Sequence, residues 1–216
     1  MTKILSIQNA KTIKSIDHGY LTGIIYLKPD KNLCPNATKE CLKHCLVNSG
    51  RGKFKKVKDA RLNRTKLFKN NLDQFMSQLV NEIKSFIKKA KKKNLTPVIR
   101  LNGTSDIDYS KIINHKTKKN IFEYFNEIQF YDYTKNHKDL KRLNKISNYH
   151  LTYSFNERTT KSILIKVLKT NNVARINELH KYHVLNNNKY NQIDGDNHDL
   201  RFLDRSNSII NLKLKK

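Results

Sequence analysis

Three short apolar segments between residues 96 and 155 decide the fold class: TPVIRL (Thr96–Leu101), IQFYDY (Ile128–Tyr133) and HLTYSF (His150–Phe155). Each has the length and apolar character of a buried strand. Helical patterns follow them at 118–125, 138–145 and 159–169, and a fourth strand is predicted at 173–176. The strands recur every 22 to 32 residues, which is the spacing of βα units in a parallel sheet.

The flanking regions extend this pattern. A strand is predicted at 21–27 and helices near 57–68 and 72–92, the second with apolar residues in steps of three and four. Residues 186–189 are predicted to be a loop, and 192–194 to begin an edge element. We therefore predict one α/β domain with a mostly parallel sheet of repeated βα units, which could form a partial TIM-like barrel. Within this domain, residues 1–55 contain the first strand and the cysteine segment, and residues 56–94 are helical. Residues 95–216 contain the βα repeats and the C-terminal segment.

The charge balance predicts a polyanionic partner. Of 216 residues, 44 are Lys or Arg and only 18 are Asp or Glu, which gives a formal net charge of +26. Basic side chains bind phosphate and release condensed counterions, so nucleic acid is the expected partner, DNA more than RNA. The alternative is a coding bias toward Lys, Asn and Ile, although such a bias should leave acidic residues untouched. A ribosome or an acidic protein would fit the same charge.

The sequence predicts a cytoplasmic protein without a membrane segment. No apolar run approaches the roughly 20 residues that span a bilayer. The first 16 residues have no signal-peptide core. In that compartment cysteines are metal ligands or free thiols more often than disulfides.

The three cysteines fall within twelve residues, as Cys34-x6-Cys41-x3-Cys45. Three thiolates suit zinc, with His44 or a distant residue as fourth ligand. They also suit an iron–sulfur cluster in which one iron stays open to a substrate or cofactor. The spacing is neither that of a standard zinc finger nor that of the usual three-cysteine radical motif. The alternative is three packed thiols, since cysteine is often simply buried.

Polar residues follow several predicted strands, and functional residues of parallel sheets gather at those ends. Asp106 and Asp132 are predicted to be catalytic, as acid, base or nucleophile. Lys135 could neutralise a phosphate or orient a carboxylate, and Asp196 supplies a further carboxylate from the later Asp-Gly-Asp motif. The alternative is that Asp and Asn occupy these positions because they tolerate turns.

Further residues are predicted to contact nucleic acid. Tyr133 could stack on a base. The turn Gly50–Lys53 is a weak anion-binding candidate that lacks the full P-loop spacing. The cations assigned to phosphate are Arg51, Lys53, Arg61, Arg64 and Arg100. The lysines between 84 and 93 are interpreted first as a solvated helix end and second as a phosphate-binding patch.

The chain resembles phage and mobile-element proteins of the gene product 88 type. The likeness spans nearly the whole chain, and the motifs that carry it are Tyr20–Gly23, Cys34–Pro35, Cys41, Cys45, Ser49–Gly52, Ala60–Arg61, Thr65, Arg100–Ile107, Phe130–Lys135, Asn148–Ser154, Asp194–Asp196 and Asp199–Asp204. The ending from Asn211 departs from the glycine-containing ending of that family. The resemblance implies a phage, prophage or plasmid setting, and therefore the host cytoplasm if a phage encodes the protein. It does not indicate which reaction the protein catalyses.

These observations favour a nucleic-acid-acting enzyme of a mobile element, which modifies or processes DNA and carries a cysteine-ligated metal site. Base exchange at the glycosidic bond and radical modification of a base both suit the layout. One alternative is a non-catalytic, basic nucleic-acid-binding protein in which zinc is structural. Another is a host-interaction protein whose charge targets an acidic host factor.

Overall fold

The computed structural model describes residues 2–7, 13–180, 185 and 189–215. Residues 186–188 of the predicted loop lie outside these ranges. In the described ranges, no helix combines the length and the apolar character needed to cross a membrane.

Eight strands in these residues form one sheet: Leu5–Ser6 (β1), Tyr20–Ile25 (β2), Thr96–Arg100 (β3), Gln129–Thr134 (β4), Tyr149–Ser154 (β5), Val173–Ile176 (β6), Asn191–Asp194 (β7) and Ser208–Leu212 (β8). Their order along the sheet is β1-β2-β3-β4-β5-β6-β8-β7. Each neighbouring pair is parallel except β1 with β2. The predicted α/β class with a mostly parallel sheet is therefore confirmed. Within the described residues the edge strands β1 and β7 do not pair, so closure into a barrel is not confirmed.

The α-helices lie before and between these strands: Lys39–Lys43 (α1), Lys55–Asn70 (α2), Leu72–Lys91 (α3), Ile121–Tyr124 (α4), Leu140–Leu143 (α5) and Lys161–Leu168 (α6). Helix α3 coincides with its prediction to within one residue. Helix α4 is a single turn, shorter than the predicted 118–125. It starts only at the capping box of Asn120 and Glu123, and Phe125 already leaves helical backbone geometry.

Helix α3 supplies much of the main core. Its buried face packs against the sheet and comprises Phe75, Met76, Leu79, Val80, Ile83, Phe86 and Ala90. Each large side chain among them stabilises the fold by about 1.5–3 kcal/mol relative to exposure. Leu72 and Ile87, which the apolar spacing also assigned to this stripe, are exposed and half-buried respectively.

The C-terminal segment covers the opposite face of the sheet. Leu200 packs there with Val98 of β3 and Tyr131 of β4. The Phe202 ring lies 5.3 Å from that of Tyr20 and 5.5 Å from that of Tyr131, measured between centroids. Both faces of the central strands are thus buried, as is usual for parallel sheets.

Candidate functional site

A cavity of about 540 Å³ opens at the C-terminal ends of the parallel strands. The residues that follow β3, β4, β5, β7 and β8 line it, together with the cysteine segment. Predicted site residues that are far apart in the chain meet there: the cysteines at 34, 41 and 45, Arg100, Asp106, Tyr133, Lys135 and Asp196. The expectation that polar strand ends converge therefore describes this edge of the sheet well.

The loop after β3 places Asp106 in the cavity, and Asn102 organises that loop. The Asn102 Oδ1 atom accepts hydrogen bonds from Ser105 Oγ (2.8 Å) and from the N–H of Ile107 (2.9 Å). Gly103 is required because a Cβ there would lie 2.6 Å from the carbonyl oxygen of Ile25. Asn102 and Gly103 together bend the chain over the end of β2.

Asp106 is a largely buried carboxyl group at the cavity wall. Its Oδ2 atom accepts a hydrogen bond from the N–H of Lys135, at 3.0 Å. Burial raises its pKa, although hydrogen bonds from Thr134 and Lys135 favour the ionised form. The carboxyl group therefore holds a proton more readily than an exposed aspartate does.

Lys135 joins the ends of two neighbouring strands. Its main-chain N–H contacts Asp106, and its Nζ atom donates to Ser154 Oγ at the end of β5, at 2.6 Å. The ammonium group thus lies on the same wall as Asp106 and is held in position by a neighbouring strand. An ammonium group so placed adds positive charge to the cavity lining.

Asp196 is another carboxyl group of the cavity lining, which also includes Glu40 and Asp199, and its environment is the opposite of that of Asp106. Its side chain pairs with Lys215 Nζ and accepts from the N–H of Lys213, at 2.8 Å. Partial burial opposes ionisation, but these partners outweigh it and lower the Asp196 pKa. Among the carboxyl groups of the cavity, the pKa of Asp106 is therefore raised and that of Asp196 is lowered.

Asp132 lies beneath the cavity and does not line it. It is fully buried, and its oxygens accept from the N–H of Asn102 (2.8 Å), Asn102 Nδ2 (3.3 Å) and the Tyr149 hydroxyl (3.1 Å). Burial raises its pKa to about 7, against the effects of Arg100, Asn102 and Tyr149. These contacts make Asp132 a support for the loop that carries Asp106.

The three thiols line the cavity as free, half-buried side chains. Cys34 Sγ donates to the carbonyl oxygen of Thr104, at 3.7 Å. Burial raises the pKa of Cys34 to about 12, and Asp106 and the other two cysteines act in the same direction. Burial also raises the pKa of Cys45. In the part of the chain that the structure describes, no three Cys, His, Asp or Glu side chains form a ready-made metal site.

Helix α1, which carries Cys41, is tied to two distant strand ends. Glu157, after β5, accepts from Thr38 Oγ1 (2.7 Å) and from the N–H of Glu40 (3.1 Å). The Glu40 carboxylate contacts His180 Nε2 at 2.8 Å. The other ring nitrogen of His180 accepts from the N–H of Ile176, at 3.1 Å, so both nitrogens are engaged. His180 therefore helps to hold the cysteine segment in position.

The sequence interpretation did not single out Glu40 and His180. The rarity of acidic residues was the available signal, because only 18 occur in the chain and Glu40 lies among the cysteines.

Some of the predicted nucleic-acid-binding side chains are exposed, and others are held by contacts within the protein. Arg51 and Lys53 are exposed on the one-turn helix Gly50–Lys53. Arg64 instead donates to the carbonyl oxygens of Lys3 (2.6 Å) and Tyr26 (3.3 Å). Those contacts join α2 to the N-terminal part of the sheet.

Arg100 and Arg61 are also buried, whereas Tyr133 is half-buried, and both Arg100 and Tyr133 line the cavity. The Arg100 guanidinium is buried, pairs with Asp199 at 2.8 Å, and lies 4.6 Å from the centre of the Tyr133 ring. Arg61 is 8% exposed and lies 5.3 Å from the centre of the Tyr26 ring. Its Nε and Nη1 atoms have no hydrogen-bond partner among the described residues.

The lysine run of α3 lies away from the cavity. Helix α3 ends at Lys91 and leads into β3 at its N-terminal residue, Thr96. The cavity lies at the opposite ends of the strands. Lysines 88–93 therefore belong to the far edge of the sheet, which agrees with the first interpretation of a solvated helix end.

A comparison with known protein families gives a match over nearly the whole chain. The family model described as Gene product 88 matches residues 3–216, which include every strand and the whole cavity lining. No curated protein and no solved structure matches the chain. The match covers nearly the full sequence and agrees with the resemblance carried by the motifs, so the chain belongs to the gene product 88 family.

Proposed function

We propose that this chain is a phage or mobile-element enzyme that modifies a nucleic acid, with the cavity at the strand ends as its active site. One observation carries the proposal: Asp106, Lys135, Asp196 and the three thiols line a single cavity. A well-formed pocket with several convergent polar and titratable groups is the first candidate for an active site.

The size and charge of the cavity favour a nucleotide unit of a polymer. About 540 Å³ falls within the range of small-molecule sites and is too small for a duplex. The net charge of +26 supports binding of the phosphate backbone outside it. An enzyme of this kind acts on a single-stranded target or on a nucleotide that has left the base stack.

Two of the carboxyl groups that line the cavity suggest separate acid and base roles. The pKa of Asp106 is raised and that of Asp196 is lowered, and opposite shifts of this kind separate acid from base in many active sites. In our proposal Asp106 exchanges a proton with the substrate. Lys135 holds the Asp106 carboxyl group through its main-chain N–H and adds a positive charge beside it.

We further propose that the thiols of Cys34, Cys41 and Cys45 bind zinc or an iron–sulfur cluster with one position open toward the cavity. Two observations support this: the thiols share one cavity wall, and the buried Arg61 guanidinium lies near Cys45 with two unpartnered nitrogens. A thiolate-bound metal centre carries negative charge, which Arg61 would balance. Binding requires the thiols to lose their protons and to move together.

Nucleoside analysis tests the enzymatic proposal. DNA and RNA from bacteria that express the wild type should contain a modified nucleoside detectable by mass spectrometry. The Asp106→Asn variant should produce none while still binding nucleic acid, because it loses only the titratable group. The exposed Asp17→Asn is the matched control and should behave like the wild type. Equal modification by Asp106→Asn would contradict the role of Asp106. Salt-sensitive binding without any modification would favour the non-catalytic alternative.

Metal analysis after anaerobic purification tests the cysteine site. We expect stoichiometric zinc, or iron with visible thiolate-to-iron absorption, and loss of that metal in each single Cys→Ser variant. Asp106→Asn serves as the control, since it alters the same cavity without removing a thiol. A wild-type protein without bound metal, or Cys→Ser variants that retain it, would overturn this part of the proposal.

A further inference from the structure

A strongly basic surface adjoins the cysteine segment outside the cavity. Between Cys41 and Lys58 the chain has six Lys or Arg residues and no acidic residue. All six side chains are exposed: Lys43, Arg51, Lys53, Lys55, Lys56 and Lys58. The first carboxylate beyond them, Asp59, pairs with Lys55 at 2.8 Å. The region therefore presents concentrated positive charge.

Phe54 lies in the middle of this charge. Its side chain is 62% exposed, the highest value for a large apolar residue in the part of the chain that is described. Lys53 and Lys55 flank it in sequence. We call the exposed side chains of this region the 51–58 surface; they are Arg51, Lys53, Phe54, Lys55, Lys56 and Lys58.

The 51–58 surface is joined closely to the cavity wall. Gly52, in the turn before Phe54, is buried, and a Cβ there would lie 2.6 Å from the carbonyl oxygen of Leu46. Leu46 itself lines the cavity, next to Cys45. The N–H of Gly52 donates to the carbonyl oxygen of Ser49 (2.9 Å), and that of Phe54 to Arg51 (3.3 Å). The turn is thus a compact unit packed on the cavity rim.

We propose that the 51–58 surface binds single-stranded nucleic acid, with one base stacked on Phe54 and neighbouring phosphates on the surrounding cations. That the bound strand continues into the cavity rests on the proposed function. An aromatic ring among cations is the usual platform for unpaired bases. A duplex offers no free base face along its length, and an acidic peptide would use the charges without the ring. The observations therefore favour a single strand over both.

A tryptophan at position 54 would report the contact directly, because the chain has no Trp. We expect a single-stranded oligonucleotide to quench the emission of Phe54→Trp strongly. A duplex of the same length and poly-glutamate should leave it nearly unchanged. Ile165→Trp, at an exposed apolar position on α6, is the control and should not respond. Absence of quenching at position 54, or equal quenching by the duplex, would overturn the proposal.

Binding measured by fluorescence anisotropy completes the test without reference to turnover. Phe54→Ala should weaken single-strand binding by roughly 5- to 150-fold, the range for loss of one stacked base. Phe54→Tyr should restore most of the affinity, and Ile165→Ala should bind like the wild type. Affinity of Phe54→Ala within twofold of the wild type would overturn the proposal. Because the assay needs no reaction, failure here and failure of the nucleoside assay are distinct results.

Discussion

Replacing Asp199 with alanine should lower the free energy of unfolding by about 3–5 kcal/mol, the usual cost of leaving one partner of a buried ion pair alone. Asp199 pairs with the Arg100 guanidinium at 2.8 Å, and both side chains are less than a tenth exposed. Arg100 also stacks on Tyr133, whose hydroxyl donates to the other oxygen of Asp199 at 3.4 Å. Truncation would leave a buried cation without its main counter-charge, and urea denaturation measures the loss.

The exposed pair of Lys55 and Asp59 provides the matched control for this experiment. It has a similar distance, 2.8 Å, but lies on the surface of α2, where water screens the charges. Asp59→Ala should therefore change the urea midpoint far less than Asp199→Ala does. Similar losses in the two variants would show that the Arg100–Asp199 pair contributes no more than a surface contact.

Asp132→Asn should become progressively more stable relative to the wild type as the pH rises from 5 to 8. Burial raises the Asp132 pKa from its ordinary 3.8 to about 7. Between these values the folded protein holds a proton that the unfolded chain has released, so wild-type stability falls as the pH increases through this window. Above about pH 7 the full cost of the buried charge is present. Asparagine is neutral throughout and avoids this cost.

Urea midpoints of both proteins at several pH values measure this effect. Asp108→Asn is the control, because the Asp108 pKa is lowered: its hydrogen bonds with Ser110 and Arg142 outweigh partial burial. Stability from such a group is complete above its unfolded pKa and is lost only at lower pH. The difference between Asp108→Asn and the wild type should stay constant from pH 5 to 8. A constant difference for Asp132→Asn as well would show that Asp132 does not titrate in this range.

The fold was largely predictable because local pattern and tertiary environment agree in the central strands. The segments at 96–101, 128–133 and 150–155 are apolar runs between turns, and each forms a parallel strand. Strand β8 was not predicted. Its neighbouring residues Ile209 and Ile210 point to opposite faces of the sheet, and both are fully buried. A short strand that is buried on both faces lacks the regular alternation of apolar and polar residues that identifies a strand with one face in solvent.

The sequence predicted which residues gather at the candidate site better than it predicted which of them line the cavity and which lie beneath it. Strand-end position was enough to bring Asp106, Lys135 and Asp196 together. It did not distinguish Asp106, which lines the cavity, from Asp132, which lies below it, because both follow or end parallel strands. Residue type likewise does not reveal that Arg100 is buried against Asp199. An arginine in a sequence is normally predicted to lie on the surface. The burial of Arg100 becomes evident only when its partner Asp199, 99 positions away, is known.

The cysteine segment is held by hydrogen bonds to residues that are distant in sequence, and this has a consequence for biosynthesis. Thr38 and Glu157 are 119 positions apart, and Glu40 and His180 are 140 apart. Chains emerge from the ribosome N-terminus first. The three cysteines therefore leave the exit tunnel long before Glu157 and His180 have been synthesised. We therefore expect oxidants and metal ions in the cell to reach these sulfurs on the nascent polypeptide, before the contacts that hold the cysteine segment have formed.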